Sequence, residues 1–209
     1  MKLYPILFEQ QELQPEHPFS PELFDALKEL VAKNKIEKLE ALMPEIQELI
    51  ASNKYPELTD PSNAKVYRGM KISFERTEEL CKTYECIEET TDKNGVVYKS
   101  FKGAVEVPTK RTIQSWSGNM DVGIQFAMDP EIGGECPIVF SAIASKEKFF
   151  GKPGEIGRIA FPKRKSEMET ISISPVESDG FALGIPPDFL GRNPSLVNPN
   201  ILRSLVLKL

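Results

Sequence analysis

Histidine is almost missing from this chain. Of 209 residues only His17 is one, and it stands between Glu16 and Pro18 in a linker-like stretch. Its place in that stretch argues against a His-based catalytic triad, and a single copy removes H-E-x-x-H zinc sites by count. Cysteine is nearly as scarce: Cys81, Cys86 and Cys136 form no C-x-x-C pair, and their odd number argues against a disulfide framework. A reducing cytoplasm is the expected compartment. Neither G-x-G-x-x-G nor G-x-x-x-x-G-K-[ST] occurs, so the common dinucleotide and P-loop phosphate cradles are absent. No apolar run reaches membrane-spanning length, and the opening "MKLYPILFEQ" is charged too early for a secretion signal. Catalysis by such a chain has to draw on carboxylates, arginine, serine and backbone.

What remains is an ordinary globular composition. With 40% hydrophobic and 27% charged residues, the chain can bury a sizeable core. Its net charge of -5 is uneven. Up to Asp60 there are twelve acidic residues against six lysines and no arginine, whereas the remainder is balanced to within one charge. A neutral body gives no basis for a broad nucleic-acid footprint. The local "KRK" at Lys163 to Lys165 either meets an anion or is a solvated loop.

Two helices are expected first. Ser20 as N-cap and Pro21 at the first helical position open one, with Leu23, Phe24, Leu27, Leu30 and Val31 on a single face. The next carries Ile36, Leu39, Leu42, Met43, Ile46, Leu49 and Ile50, and Pro44 should kink or divide it. The turn-rich "YPELTDPSN" then marks a boundary between an N-terminal helical subdomain, 1–60, and a body, 61–209. In the body, "AKVYRGM", "RTIQSWS", "CPIVFSAIA" and "EMETISISPV" read as strands. Asn94-Gly95 is a hairpin signal, and "FERTEELCKTYEC" and "MDVGIQFAM" are helical. The C-terminal "DGFALGIPPDFLGRNPSLVNPN" reads as loop, and "ILRSLVLKL" as a closing strand. With no regular βαβ alternation, the class is α+β with a mixed or split sheet.

Three stretches carry chemistry. In "VYRGM", Arg68 can aim a planar fork at a phosphate, and Gly69 lets a ligand approach the backbone. The alternative is an edge-strand arginine in a surface ion pair. In "SWSGNMDVGIQFA", alternation puts Ser115 and Ser117 on one face and Trp116 on the other, with Val122, Ile124, Phe126 and Ala127 pinning the following helix to the core. The alternative is a serine-rich strand end. In "EMETISIS", Glu167 and Glu169 share a face, and adjacent carboxylates repel. The alternative is a solvated strand end. Taken together, an arginine for a diphosphate, hydroxyls to orient a carboxylate and a carboxylate pair suit cleavage of a glycosidic bond through a cationic transition state.

In their order, Arg, then Ser-x-Ser, then Glu-x-Glu, these motifs resemble the arginine-specific mono-ADP-ribosyltransferases of the R-S-E class. Those enzymes share their fold with cholera-type toxins, and the closest texture is that of bacteriophage enzymes that modify host proteins. The resemblance covers roughly residues 60 to 175. It implies an α+β, ADP-ribosyltransferase-type split mixed or antiparallel sheet with an N-terminal helical cap, and NAD as co-substrate without a metal. Arg68 would meet the NAD phosphates, the backbone of Gly69 the nicotinamide amide, and Ser115 would orient the catalytic carboxylate with Ser117 supporting the same wall. Glu169 would grip the nicotinamide ribose and Glu167 would receive the acceptor guanidinium. One of Phe149, Phe150 and Phe161 would stack on nicotinamide or substrate, and the loop over 151–166 would meet the target. Trp116 departs from the small residue usual at that place, and is expected to pack behind the strand as an anchor.

The partner implied is a protein bearing an acceptor arginine, a bacterial host protein if the chain is phage-encoded, with no membrane and no nucleic acid. Two further readings stand beside this one. The same fold can pass ADP-ribose mainly to water as an NAD glycohydrolase, or it can be a non-enzymatic phage or host-binding module whose acidic helical cap holds a partner.

Overall fold

In the computed structural model, residues 19–33, 35–107, 113–160, 169–188 and 192–209 are described, apart from the side chains of 31–33 and 159–160. His17, Phe161, the KRK stretch and Glu167 lie outside them.

The acidic N-terminal part is helical because its apolar residues recur at helical spacing. Ser20 caps α1 (Pro21–Lys33), its Oγ accepting the Leu23 amide at 3.0 Å. The same hydroxyl donates to Glu45 at 2.9 Å, tying the start of α1 to a later helix. Pro44 divides the second apolar stretch as expected: α2 (Glu37–Ala41) ends before it, and α3 (Met43–Ser52) begins with it in the first turn. α4 (Pro56–Thr59) completes the set.

Among the described residues the body contains one antiparallel sheet of eight strands in the order β2-β3-β8-β5-β1-β4-β7-β6. They are β1 (Ala64–Ile72), β2 (Cys86–Thr91), β3 (Val97–Glu106), β4 (Gln114–Ser117), β5 (Cys136–Ala144), β6 (Phe149–Phe150), β7 (Glu169–Ser172) and β8 (Glu177–Ile185). Asn94-Gly95 turns β2 into β3, with Gly95 at φ 78°. β1 and β5 pair along their whole length, from Ala64↔Ala144 to Ile72↔Cys136. Among the described residues, β1 meets β4 only through Tyr67↔Ser117. Five strands on one side and three on the other therefore hang together at a single registered pair.

Alternation along the strands sorts side chains onto two faces. One face buries Val66, Phe101, Phe140, Phe181, Trp116 and Phe149, and is packed by α5 (Phe74–Thr83) through Phe74, Leu80 and Cys81. On the other, α6 (Met120–Met128) and α8 (Pro199–Val206) cover Val139, Ala182 and Tyr98. Toward the β6 edge, α1 to α3 pack Leu23, Leu27, Leu39 and Ile46 into one core with Ile113, Phe150 and Ile171. Ile156 of α7 (Glu155–Ala160) joins that core. The N-terminal helices thus share their interior with the three-strand end of the sheet.

Three expectations are corrected. "ILRSLVLKL" is mostly helix: Asn198 caps the Asn200 amide at 2.9 Å, Pro199 opens α8, and Leu202, Leu205 and Val206 fall on one buried stripe. The stretch read as C-terminal loop supplies β8, which lies between β3 and β5. A Cβ on Gly180 would approach the Phe101 carbonyl oxygen to 2.7 Å, so this glycine marks tight strand and terminus packing, not a loop. Finally, residues 155–160 of the expected loop form α7. No helix among the described residues is long and apolar enough to cross a membrane.

Candidate active site

β1, β4 and β7 are neighbours in the sheet, and they bring together Arg68, Ser115, Ser117 and Glu169, four of the residues singled out by sequence. Ser117 is registered with Tyr67 on one side and Glu169 on the other. Registered pairs share a face, so Ser117 and Glu169 point the same way, and Ser115 follows by period-two alternation. The Ser115 hydroxyl donates to Glu169 Oε1 at 2.7 Å, a diagonal contact between the strands. Arg68, half-buried on β1, donates from Nη1 to the Ser115 carbonyl oxygen at 2.5 Å. Arginine, serine and glutamate, 47 and 54 positions apart in sequence, form one hydrogen-bonded chain across three strands.

Each residue is held from behind. Trp116, 1% exposed, lies on the opposite face from Ser115 and meets Phe149 edge-on, ring centroids 5.6 Å apart. It is an anchor behind the strand, as its alternation with the serines requires. The Ser117 hydroxyl accepts the Asn119 amide at 2.9 Å, and Asn119 caps the Asp121 amide at 2.9 Å, so one short turn links β4 to α6. Within α6, Gly123, Ile124 and Ala127 are buried, but Phe126 is 43% exposed, so it does not pin the helix as expected.

Gly69 has a clear steric reason. A Cβ there would lie 1.7 Å from the Gly123 carbonyl oxygen and 2.6 Å from the Ala127 amide nitrogen. The glycine allows α6 to lie directly on β1 beside Arg68. Phe149 and Phe150 are both fully enclosed, Phe149 against Trp116 and Phe150 against Phe19 in the helical core. Neither presents a ring for stacking.

Glu169 is 7% exposed and begins β7. Its carbonyl oxygen accepts the Gly154 amide at 3.3 Å. Thr170, next in sequence and fully buried, directs its hydroxyl at the carbonyls of Phe150, 3.1 Å, and Gly151, 2.6 Å. Sequence reasoning missed Thr170, because a lone threonine between a glutamate and an isoleucine carries no motif. Tyr67, in register with Ser117, has its phenol pushed up by burial and by the Asp179 carboxylate, which itself accepts from Ser141 at 2.5 Å.

Chemically, the arrangement offers a guanidinium for an anionic group and a mostly buried carboxylate whose orientation a hydroxyl fixes. Comparison with known proteins returns no match: no family model, no curated protein and no solved structure aligns with the chain.

Proposed function

We propose that this chain is an NAD-dependent mono-ADP-ribosyltransferase that moves ADP-ribose onto arginine side chains of target proteins, bacterial host proteins in the first instance, and releases nicotinamide. The observation that carries this reading is the Arg68–Ser115–Glu169 chain across β1, β4 and β7. The donor set suits NAD: a cation for the diphosphate, and a carboxylate already oriented by Ser115 for the ribose. The antiparallel sheet with its single β1–β4 pair is compatible with the split sheet of that enzyme class.

In the reaction, the bond from ribose C1′ to the nicotinamide nitrogen breaks, and its electron pair leaves with nicotinamide. Positive charge develops on the ribose, and Glu169, fixed in advance, stabilises it without reorganising. Arg68 offsets the negative charge of the diphosphate and so orients the reacting end. A guanidine nitrogen of the acceptor then bonds to C1′ and gives up a proton. Glu167, on sequence grounds, is the residue that takes it.

Incubation with labelled NAD and a bacterial lysate tests this. Labelled protein bands that hydroxylamine removes and that Glu169→Gln abolishes are expected. Free ADP-ribose without labelled protein would make the chain a glycohydrolase. Absence of NAD binding by calorimetry would leave a binding module.

A further inference from the structure

We infer that Thr170 is a positioning residue for Glu169, and that through it the N-terminal helices set the catalytic carboxylate in place. This rests on the proposed role of Glu169. The path is continuous in hydrogen bonds. The Leu58 and Thr59 carbonyls at the end of α4 accept the amides of Lys152 and Gly151, each at 3.0 Å. The Gly151 carbonyl in turn accepts the Thr170 hydroxyl at 2.6 Å, and the Gly154 amide donates to the Glu169 carbonyl at 3.3 Å. The 151–154 segment is thereby clamped between α4 and the first two residues of β7.

The clamp is specific to these residues. Gly151 holds φ 92°, where side chains are strained, and a Cβ there would lie 2.0 Å from Ile156 Cδ1. Thr59 is 3% exposed and Thr170 wholly buried, so neither polar group reaches water readily. Glu169 is the first described residue of β7 and is registered with Ser117. The Thr170 contacts hold the adjoining backbone from the other face of the sheet. A carboxylate displaced by about 1 Å can lose about a hundredfold in rate.

Thr170→Val keeps the shape and removes the hydroxyl, whereas Thr170→Ser keeps the hydroxyl and removes a methyl. The expected result is a fall in kcat for nicotinamide release of about tenfold or more in Thr170→Val, with the Kd for NAD changed less than about twofold and kcat largely retained in Thr170→Ser. Amide exchange at Gly151, Lys152 and Gly154 should quicken in Thr170→Val, a readout that needs no turnover. Thr170→Val with a lowered Tm but wild-type kcat, in an enzyme silenced by Glu169→Gln, overturns the positioning role and leaves the proposed reaction standing. Unchanged exchange with unchanged kcat overturns it likewise. A wild-type chain inert toward NAD overturns the reaction and the positioning role together.

Discussion

Ser115 is the residue on which the site turns, because it uses both ends: its hydroxyl holds Glu169 and its carbonyl holds Arg68. Ser115→Ala removes only the first bond. We expect nicotinamide release to fall about tenfold to a hundredfold, read as kcat at saturating NAD, with the fold intact by circular dichroism. A variant with unchanged kcat would show that Glu169 is placed without it. Trp116, on the other side of the same strand, is a stability residue. Trp116→Ala should cost about 3–5 kcal/mol in urea unfolding. Trp116→Phe should cost clearly less, because the indole N–H has no hydrogen-bond partner among the described residues and a ring still meets Phe149. The pairing of polar front and apolar back was legible in sequence, since period-two alternation depends only on the chain being extended. Thr170 was not, because what it bonds to is brought there by the loop after β6.

At the scale of elements, the close approach of α6 to β1 is the tightest constraint. Gly69→Ala places a methyl 1.7 Å from a backbone carbonyl, so α6 must shift, and soluble expression or a midpoint in denaturant should be lost. Gly123→Ala comes no closer than 3.0 Å, to the Tyr67 Cβ, with ordinary contacts to the Tyr67 carbonyl carbon and Val139 Cγ1, and should be milder. Equal costs would show that α6 does not rest on Gly69. Tyr98 joins two other elements: its hydroxyl donates to Asp92 in the hairpin at 2.8 Å and accepts the Asn198 amide at the start of α8 at 2.6 Å. Burial pushes its pKa up to about 12; the Asn198 amide opposes this and Asp92 adds to it. The folded state therefore holds this proton more tightly than the unfolded chain. Its contribution is complete below about pH 10, the ordinary tyrosine value, and is lost as pH rises toward 12. Phenolate absorbance and urea midpoints across that range check it, and Tyr98→Phe should flatten the dependence. Elements with strong local signals were readable: the Pro44 break, the Asn-Gly hairpin and the Asn-capped α6. α8 is hard to read because Leu, Val and Leu in series fit a buried strand as well as a helix, and the signal that separates the two is the short Asn198-Pro199 start.

For the whole molecule, the acidic helices are not an appendage in packing terms. Leu39 and Ile46 lie in the same core as Ile113, Phe150 and Ile171. Thermal unfolding followed by far-ultraviolet dichroism and by tryptophan emission should therefore coincide in one transition. Leu39→Ala should lower it by the equivalent of about 2–5 kcal/mol. Two separated transitions would show that helices and sheet melt independently. A boundary near residue 60 is visible in charge and texture, but sequence does not say which apolar faces meet across it. The α+β class was legible from the lack of βαβ alternation. The strand order was not, since β8 lies in the middle of the sheet while its glycines and the prolines that follow it resemble a loop.

The solitary tryptophan has an optical consequence. Only one indole is present, it is shielded from water, and it sits back to back with Ser115 and Ser117. Its emission is therefore a label-free dial on the strand that carries the serines. Under the proposed function, nicotinamide or adenine arriving at the front face would change the spectrum through a single residue's thickness of polypeptide, with no second indole to blur the signal.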